Sequence, residues 1–255
     1  MSLLSIEGIS KRFGGLQALN DISIEIRPSE LTAIIGPNGA GKTTTFNVIT
    51  GFHRPDSGTV TFQGERIEAL PAHEIARRGL MRTFQHTRLF NAMTVLGNVL
   101  VGRHSKTSAE LLDVLLGRAF VAREKAETQQ RAMEALRFVG LDHAADKLAG
   151  ALPHGQRRLL EIARVLVADP VLVLLDEPTT GLNSGEVRVL QDKMHALIAR
   201  GISILMVEHD MRLVMEIADN IHVLDFGQKI AEGPPDAVRR NPDVIAAYLG
   251  GAVAC

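Results

Sequence analysis

Residues 36–43 read GPNGAGKT, and this octet constrains the fold more than any other stretch of the chain. Its spacing of Gly, four residues, then Gly-Lys-Thr is that of a phosphate-cradling P-loop, which belongs between the end of a strand and the start of a helix. Both flanks comply, LTAIIG reading as a strand and TTTFNVIT as the opening of a helix. Glycines 36, 39 and 41 (Gly36, Gly39, Gly41) let the backbone turn its N–H groups inward and approach a polyphosphate without Cβ clashes; the helix N-terminus adds favourable partial charge. Lys42 is placed to neutralise β- and γ-phosphate charge and the Thr43 hydroxyl to ligate Mg²⁺. Asn38, Ala40 and Thr44 complete the stretch expected to hold the nucleotide. The plainer alternative, a Gly-rich turn with a surface lysine, does not account for the strand–loop–helix order.

A second stretch, VLVLLDE at 171–177, supplies acid chemistry. The short apolar run with its two valines suits a strand buried on both faces of a parallel sheet. It delivers Asp176 and Glu177 to the strand's carboxyl end, where open α/β sheets bind ligands. One carboxylate can hold the Mg²⁺ shell while the other polarises an attacking water. The alternative is a solvated acidic pair that begins a loop.

Around these two stretches the chain alternates. Short strand-like runs (SIEGIS, DISIEI, LTAIIG, TVTFQG) fill residues 3–64, some of them antiparallel by their turn-rich spacing. Residues 71–79 suit a helix with Pro71 at its first position and Gly79 at its exit. From about 94 to 149 apolar residues recur at helical spacing, as at Ala132, Ala135, Leu136 and Val139, and imply a helical insertion. A further helix from Gln156 would place Leu159, Ile162, Ala163 and Leu166 on one face, with Arg157 and Glu161 as an i, i+4 pair on the other. Then come a helix over about 184–200, with Asn183 and Glu186 spaced as a capping box and Gly201 beyond its end, a strand at 202–208, a helix after Asp210 and a strand at 221–226. Strand alternating with helix points to a parallel α/β core.

Length and charge bound the rest. A chain of 255 residues suits one large domain or a core with a sizeable insertion. With 28 basic and 29 acidic residues the net charge is -1, so no overall field recruits nucleic acid or anionic lipid. The single cysteine, Cys255, excludes a disulfide framework within the chain and fits a reducing compartment. The N-terminus does not look like a signal peptide, and LLDVLL at 111–116 is far short of a membrane span. A cytoplasmic protein is expected, reaching a membrane only by docking on something else.

With GPNGAGKTT, the RTFQ at 82–85, HGQRRLLEIAR, VLVLLDEP and VEHD, nearly the whole chain resembles the nucleotide-binding subunit of an ABC transporter. FGGLQALNDIS, MRTFQHTRLFNAMTVLGNVLVGRH, VEHDMRLVMEIAD and NPDVIAAYLG resemble more closely the LivG-type subunits of branched-chain amino acid importers. The resemblance implies a P-loop NTPase core of class α/β with a mainly parallel sheet and an N-terminal antiparallel β-subdomain, together about residues 1–85 and 168–255. It also implies a helical subdomain with the signature motif at about 86–167. It places Phe13 on adenine, where the residues alone would equally fit a strand-end core phenylalanine. Gln85 falls at Mg²⁺ and the attacking water, His209 at the γ-phosphate, Asp176 at the metal and Glu177 as general base.

In this family the segment before the helix at 156 normally reads Leu-Ser-Gly-Gly-Gln and completes the ATP site of a partner cassette. Here Pro153 and His154 replace the Ser and the first Gly, while Gly155 and Gln156 remain. Proline lacks both the hydroxyl and an N–H, which implies a weakened contact with the partner's ATP. A Pro-initiated helix start with no phosphate contact is the alternative. The resemblance further implies a second ABC ATPase subunit, with a heterodimer of unequal sites the natural arrangement and a homodimer the other. Two membrane permeases, and a periplasmic binding protein acting indirectly, complete the assembly on the inner face of the membrane. Urea-import and lipopolysaccharide-export ATPases share the VEHD and GPNGAGKTT features and are the rival cargo readings. A nucleotide-gated assembly subunit with weak hydrolysis is the rival in kind.

Overall fold

Two sheets organise the computed structural model, which describes residues 2–83, 89–103 and 119–250. The first joins β1 (Leu4–Phe13), β2 (Leu16–Ile26), β4 (Ser57–Phe62) and β5 (Glu65–Arg66) as antiparallel neighbours in the order β2-β1-β4-β5. The second joins β3 (Leu31–Ile35), β6 (Leu80–Arg82), β7 (Leu172–Asp176), β8 (Ser203–Val207), β9 (Asn220–Asp225) and β10 (Gln228–Gly233) in the order β10-β9-β3-β8-β7-β6. All of its pairings are parallel except the β9–β10 hairpin. The helices are α1 (Lys42–Ile49), α2 (Ala72–Arg77), α3 (Val95–Gly102), α4 (Ala119–Val139), α5 (His154–Leu166), α6 (Ser184–Ile198), α7 (Met211–Ile217), α8 (Pro235–Arg239) and α9 (Pro242–Gly250).

Every residue of β3, β7 and β8 is buried, because helices and the antiparallel first sheet cover both faces, and a doubly covered strand has no use for polar alternation. Alternate side chains feed two cores. Ile34, Leu172, Leu174, Leu205 and Val207 pack with Phe46 and Ile49 of α1 and the apolar face of the antiparallel sheet. Ala33, Ile35, Val173, Leu175 and Met206 face the opposite core with α6, α7 and the helices of residues 95–166. The four positions marked by helical spacing, Ala132, Ala135, Leu136 and Val139, are all buried there.

Three local expectations need correction. Pro71 is the N-cap of α2 in extended geometry (ψ 154°), and the helix begins at Ala72. Helix α5 starts at His154 behind Pro153, two residues ahead of Gln156. Arg157 and Glu161 do not pair: Glu161 is buried and accepts from Arg158 (3.1 Å), while Arg157 donates to Asn91 (3.0 Å). Leu159 and Leu166 are half-buried whereas Leu160 is fully buried. The helix is packed between α3, α4 and the core, so the face that would carry a solvated ion pair is itself covered.

Candidate active site

Strand β3 ends at Ile35 and the chain turns through residues 36–41 before α1 begins at Lys42. Only glycine fits at 36: φ is 150°, and a Cβ there would lie 2.0 Å from the Leu224 carbonyl oxygen on β9. Gly41, at φ 101°, caps α1 with its backbone pressed toward the Ala18 carbonyl. Lys42 folds back over this loop, its Nζ donating to the carbonyls of Gly36 (2.7 Å) and Pro37 (2.8 Å). Burial lowers the lysine's pKa, and the charges of Glu177 and Asp176 pull it back up. Asn38–Thr44, Phe13, Gln17 and Glu177 line one cavity of about 310 Å³. The loop, the aromatic and one acid of the pair thus share a single concavity.

Phe13 stands at the end of β1, 41% exposed, so it is not a core residue. His53 meets its ring edge-on at 5.1 Å, and Lys11 Nζ lies 5.6 Å from the ring centroid. These neighbours fix the ring and leave surface free for stacking.

At the carboxyl end of β7, Asp176 is buried and its Oδ2 accepts from Arg82 at 2.7 Å. The same guanidinium donates to Asn47 of α1 (2.7 Å). Arg82 therefore ties the end of β6 to α1 and to the acid. Glu177, the next residue, lies in the left-handed region at φ 44°, a strained conformation for a side chain of this size and one that gathers at functional sites. Its N–H is held by the Val207 carbonyl (2.9 Å), and its Oε2 accepts from the Thr180 hydroxyl (3.3 Å). His209, beyond the end of β8 and largely exposed, brings Nδ1 to 3.9 Å from that same oxygen.

Between them sits Glu208, fully buried. Its Oε1 accepts from the Thr179 N–H (3.0 Å) and hydroxyl (2.5 Å), and its Oε2 from the N–H groups of His209 (3.0 Å) and Asp210 (3.5 Å). Neither Glu208 nor Arg82 was marked by the sequence reading, although both lie inside quoted motifs, VEHD and RTFQ. Gln85 lies outside the described residues.

Pro153 caps α5 and His154, Gly155 and Gln156 open it, and none of the four lines the P-loop cavity. Three of them, Pro153, Gly155 and Gln156, line a separate cavity of about 460 Å³ with Asn183 and Glu186 of the α6 start. Pro153 makes no side-chain cap, and His154 Nε2 lies 3.3 Å from the Thr180 carbonyl oxygen. The donors that remain at this helix N-terminus are backbone N–H groups.

Residues 19–180 match the sequence model of the family described as ABC transporter, and residues 228–254 that described as branched-chain amino acid ATP-binding cassette transporter. The chain is 46% identical over 251 residues, 98% of each protein, to the high-affinity branched-chain amino acid transport ATP-binding protein LivG of Salmonella typhimurium. It is 43% identical over 255 residues, again 98% of each, to the BraF protein of the same description from Pseudomonas aeruginosa. Among solved structures, it is similar to the ADP conformation of an ATP-binding cassette of an ABC transporter, with a TM-score of 0.86, 36% identity, and 98% of this chain and 99% of that one covered.

Proposed function

The chain belongs to the ABC transporter family of ATP-binding cassettes, and from that premise we propose that it hydrolyses ATP to power uptake of branched-chain amino acids through partner permeases. The observation that carries the chemistry is the shared cavity, in which Glu177 faces the loop 38–44 with His209 beside it. The cargo rests on the relatives, which are named for branched-chain amino acid transport along the full length compared.

The nucleotide's phosphates lie along Asn38–Thr44 under Lys42, and adenine stacks on the exposed face of Phe13. Thr43 and Asp176 offer a hydroxyl and a carboxylate oxygen, hard donors of the kind Mg²⁺ takes. Bound there, Mg²⁺ neutralises phosphate charge. Glu177 takes a proton from the attacking water, its carboxylate aimed by Thr180. His209 contacts the γ-phosphate, and Gln85 serves the metal and water from the segment that joins the core to the helical part.

Two cassettes closing on ATP would pair this chain's P-loop with its partner's signature, and residues 153–156 with the partner's nucleotide. Phe90, Met93 and Leu148 are exposed apolar side chains on adjoining segments, joined where the Ala149 N–H donates to the Met93 carbonyl (2.9 Å). That surface suits a permease. Attachment to the membrane's inner face runs through the permeases, with a binding protein delivering the solute; no described helix is long and apolar enough to cross a membrane.

Glu177→Gln in the assembled transporter should leave ATP binding intact and stop turnover and labelled leucine uptake. Unchanged hydrolysis with this variant would remove Glu177 as base. One observation favours a second reading: Pro153 brings neither hydroxyl nor N–H to the signature and His154 is turned to Thr180. The composite site around the partner's nucleotide would then serve chiefly as a nucleotide-gated assembly contact with weak hydrolysis, and turnover would fall with Glu177→Gln here while surviving the matching change in the partner.

A further inference from the structure

Behind Glu177 and His209 lies a carboxylate to which the scheme above assigns no task. Glu208 is fully buried, and a carboxylate in that position costs several kcal/mol unless its oxygens are fully hydrogen-bonded. Both oxygens are indeed occupied, and the donors come from two different loops. Thr179, with its N–H and hydroxyl, belongs to the turn after β7 that carries Glu177; His209 and Asp210 belong to the turn after β8. A hydrophobic residue of similar size would fill this space without the desolvation cost. What such a residue could not do is span the two turns.

The span bears on the reacting groups. Fixing Thr179 fixes the start of the Thr180 residue, whose hydroxyl reaches Glu177 Oε2. Fixing the His209 N–H sets the imidazole's anchor, with Nδ1 3.8 Å from Glu208 Oε2 and 3.9 Å from Glu177 Oε2. One buried side chain therefore governs the separation of the base and the histidine. We propose that Glu208 is a positioning residue for hydrolysis, clamping the turn that carries Glu177 to the turn that carries His209. The proposal rests on Glu177 acting as the base.

The test uses the complete cassette–permease complex, with kcat and KM measured per folded protein and affinity read from a non-hydrolysable ATP analogue. Glu208→Gln keeps the shape but turns an amide NH₂ toward backbone donors. A misplacement of reacting groups on the ångström scale can lower rate on the order of 100-fold, so kcat should fall roughly 10- to 100-fold while affinity shifts less than about threefold. Thr179→Val removes only the hydroxyl donor and should lower kcat in the same direction, whereas Thr179→Ser restores the hydroxyl and kcat with it. A merely structural role would lower the melting temperature of Thr179→Val without touching kcat of the folded fraction. Wild-type kcat in Glu208→Gln or Thr179→Val, beside an inactive Glu177→Gln, overturns the clamp alone. Wild-type turnover in Glu177→Gln overturns the base assignment and with it the clamp's purpose.

Discussion

The guanidinium of Arg82 meets the Asp176 carboxylate at 2.7 Å with both side chains less than a tenth exposed, and it lies over the Phe46 ring at 5.4 Å. A buried pair of this kind adds little over a well-packed apolar alternative, but removing one partner strands the other charge, which costs ~3–5 kcal/mol. Arg82→Met should therefore lower stability by about 3 kcal/mol, or roughly 6–12 °C in melting temperature for a chain of this size. Differential scanning calorimetry checks it; a melting temperature unchanged within error would mean that Asp176 is not held by this arginine. The contrast with Lys42 shows what a sequence discloses at the scale of one residue. Lys42 was legible because everything that defines its task lies within seven residues of it. Arg82 and Glu208 find their partners 94 and 29 residues away, and no local pattern distinguishes an arginine or glutamate that will be buried from one that will be solvated.

A helix end is legible where three or four neighbouring residues decide it, as at α6, although α2 begins one residue later and α5 two residues earlier than their local patterns imply. The capping box of α6 forms as its spacing implies: Asn183 Oδ1 accepts from the N–H groups of Gly185 and Glu186, each at 3.0 Å, and Glu186 Oε2 accepts from the Asn183 N–H at 3.0 Å. Asn183→Ala should cost about 1 kcal/mol, seen as a shift of roughly 2–4 °C in thermal unfolding. A neutral result would show that the start of α6 is held by its packing against α5, where Glu186 abuts Gly155, and not by its cap. The faces of α5 went wrong for the converse reason. A period of 3.6 residues separates apolar from polar, but only the arrangement of α3, α4 and the sheet around this helix decides that Arg158 and Glu161 are buried as a pair.

At the scale of the molecule, the alternation of strand and helix was enough to imply a parallel sheet, and the turn-rich N-terminal strands an antiparallel one. The order β10-β9-β3-β8-β7-β6 and the closing hairpin were not legible, since strand order is set by which faces find cover. That hairpin buries His222 on β9, between Ile34 of β3 and Glu232 of β10. Burial first, and then the nearby charge of Lys229, push its pKa down to about 4 against the opposing pull of Glu232. The folded chain thus refuses a proton that the unfolded chain accepts near the ordinary histidine value of 6.5. Its contribution is whole above pH 6.5 and is lost as pH falls from 6.5 toward 4. At about 1.4 kcal/mol per pH unit, that interval sets a ceiling of ~3.5 kcal/mol. Among the carboxylates, Glu232, Glu68 and Asp56 are depressed below their ordinary values of 4.5, 4.5 and 3.8, so their losses come at lower pH. Glu30, raised by burial, acts with the opposite sign. Denaturant unfolding midpoints should accordingly drop between pH 6.5 and 5 in the native chain and run nearly flat over that interval in His222→Gln. Equal slopes in the two proteins would mean that His222 is protonated in the fold and that its burial is not what limits acid stability.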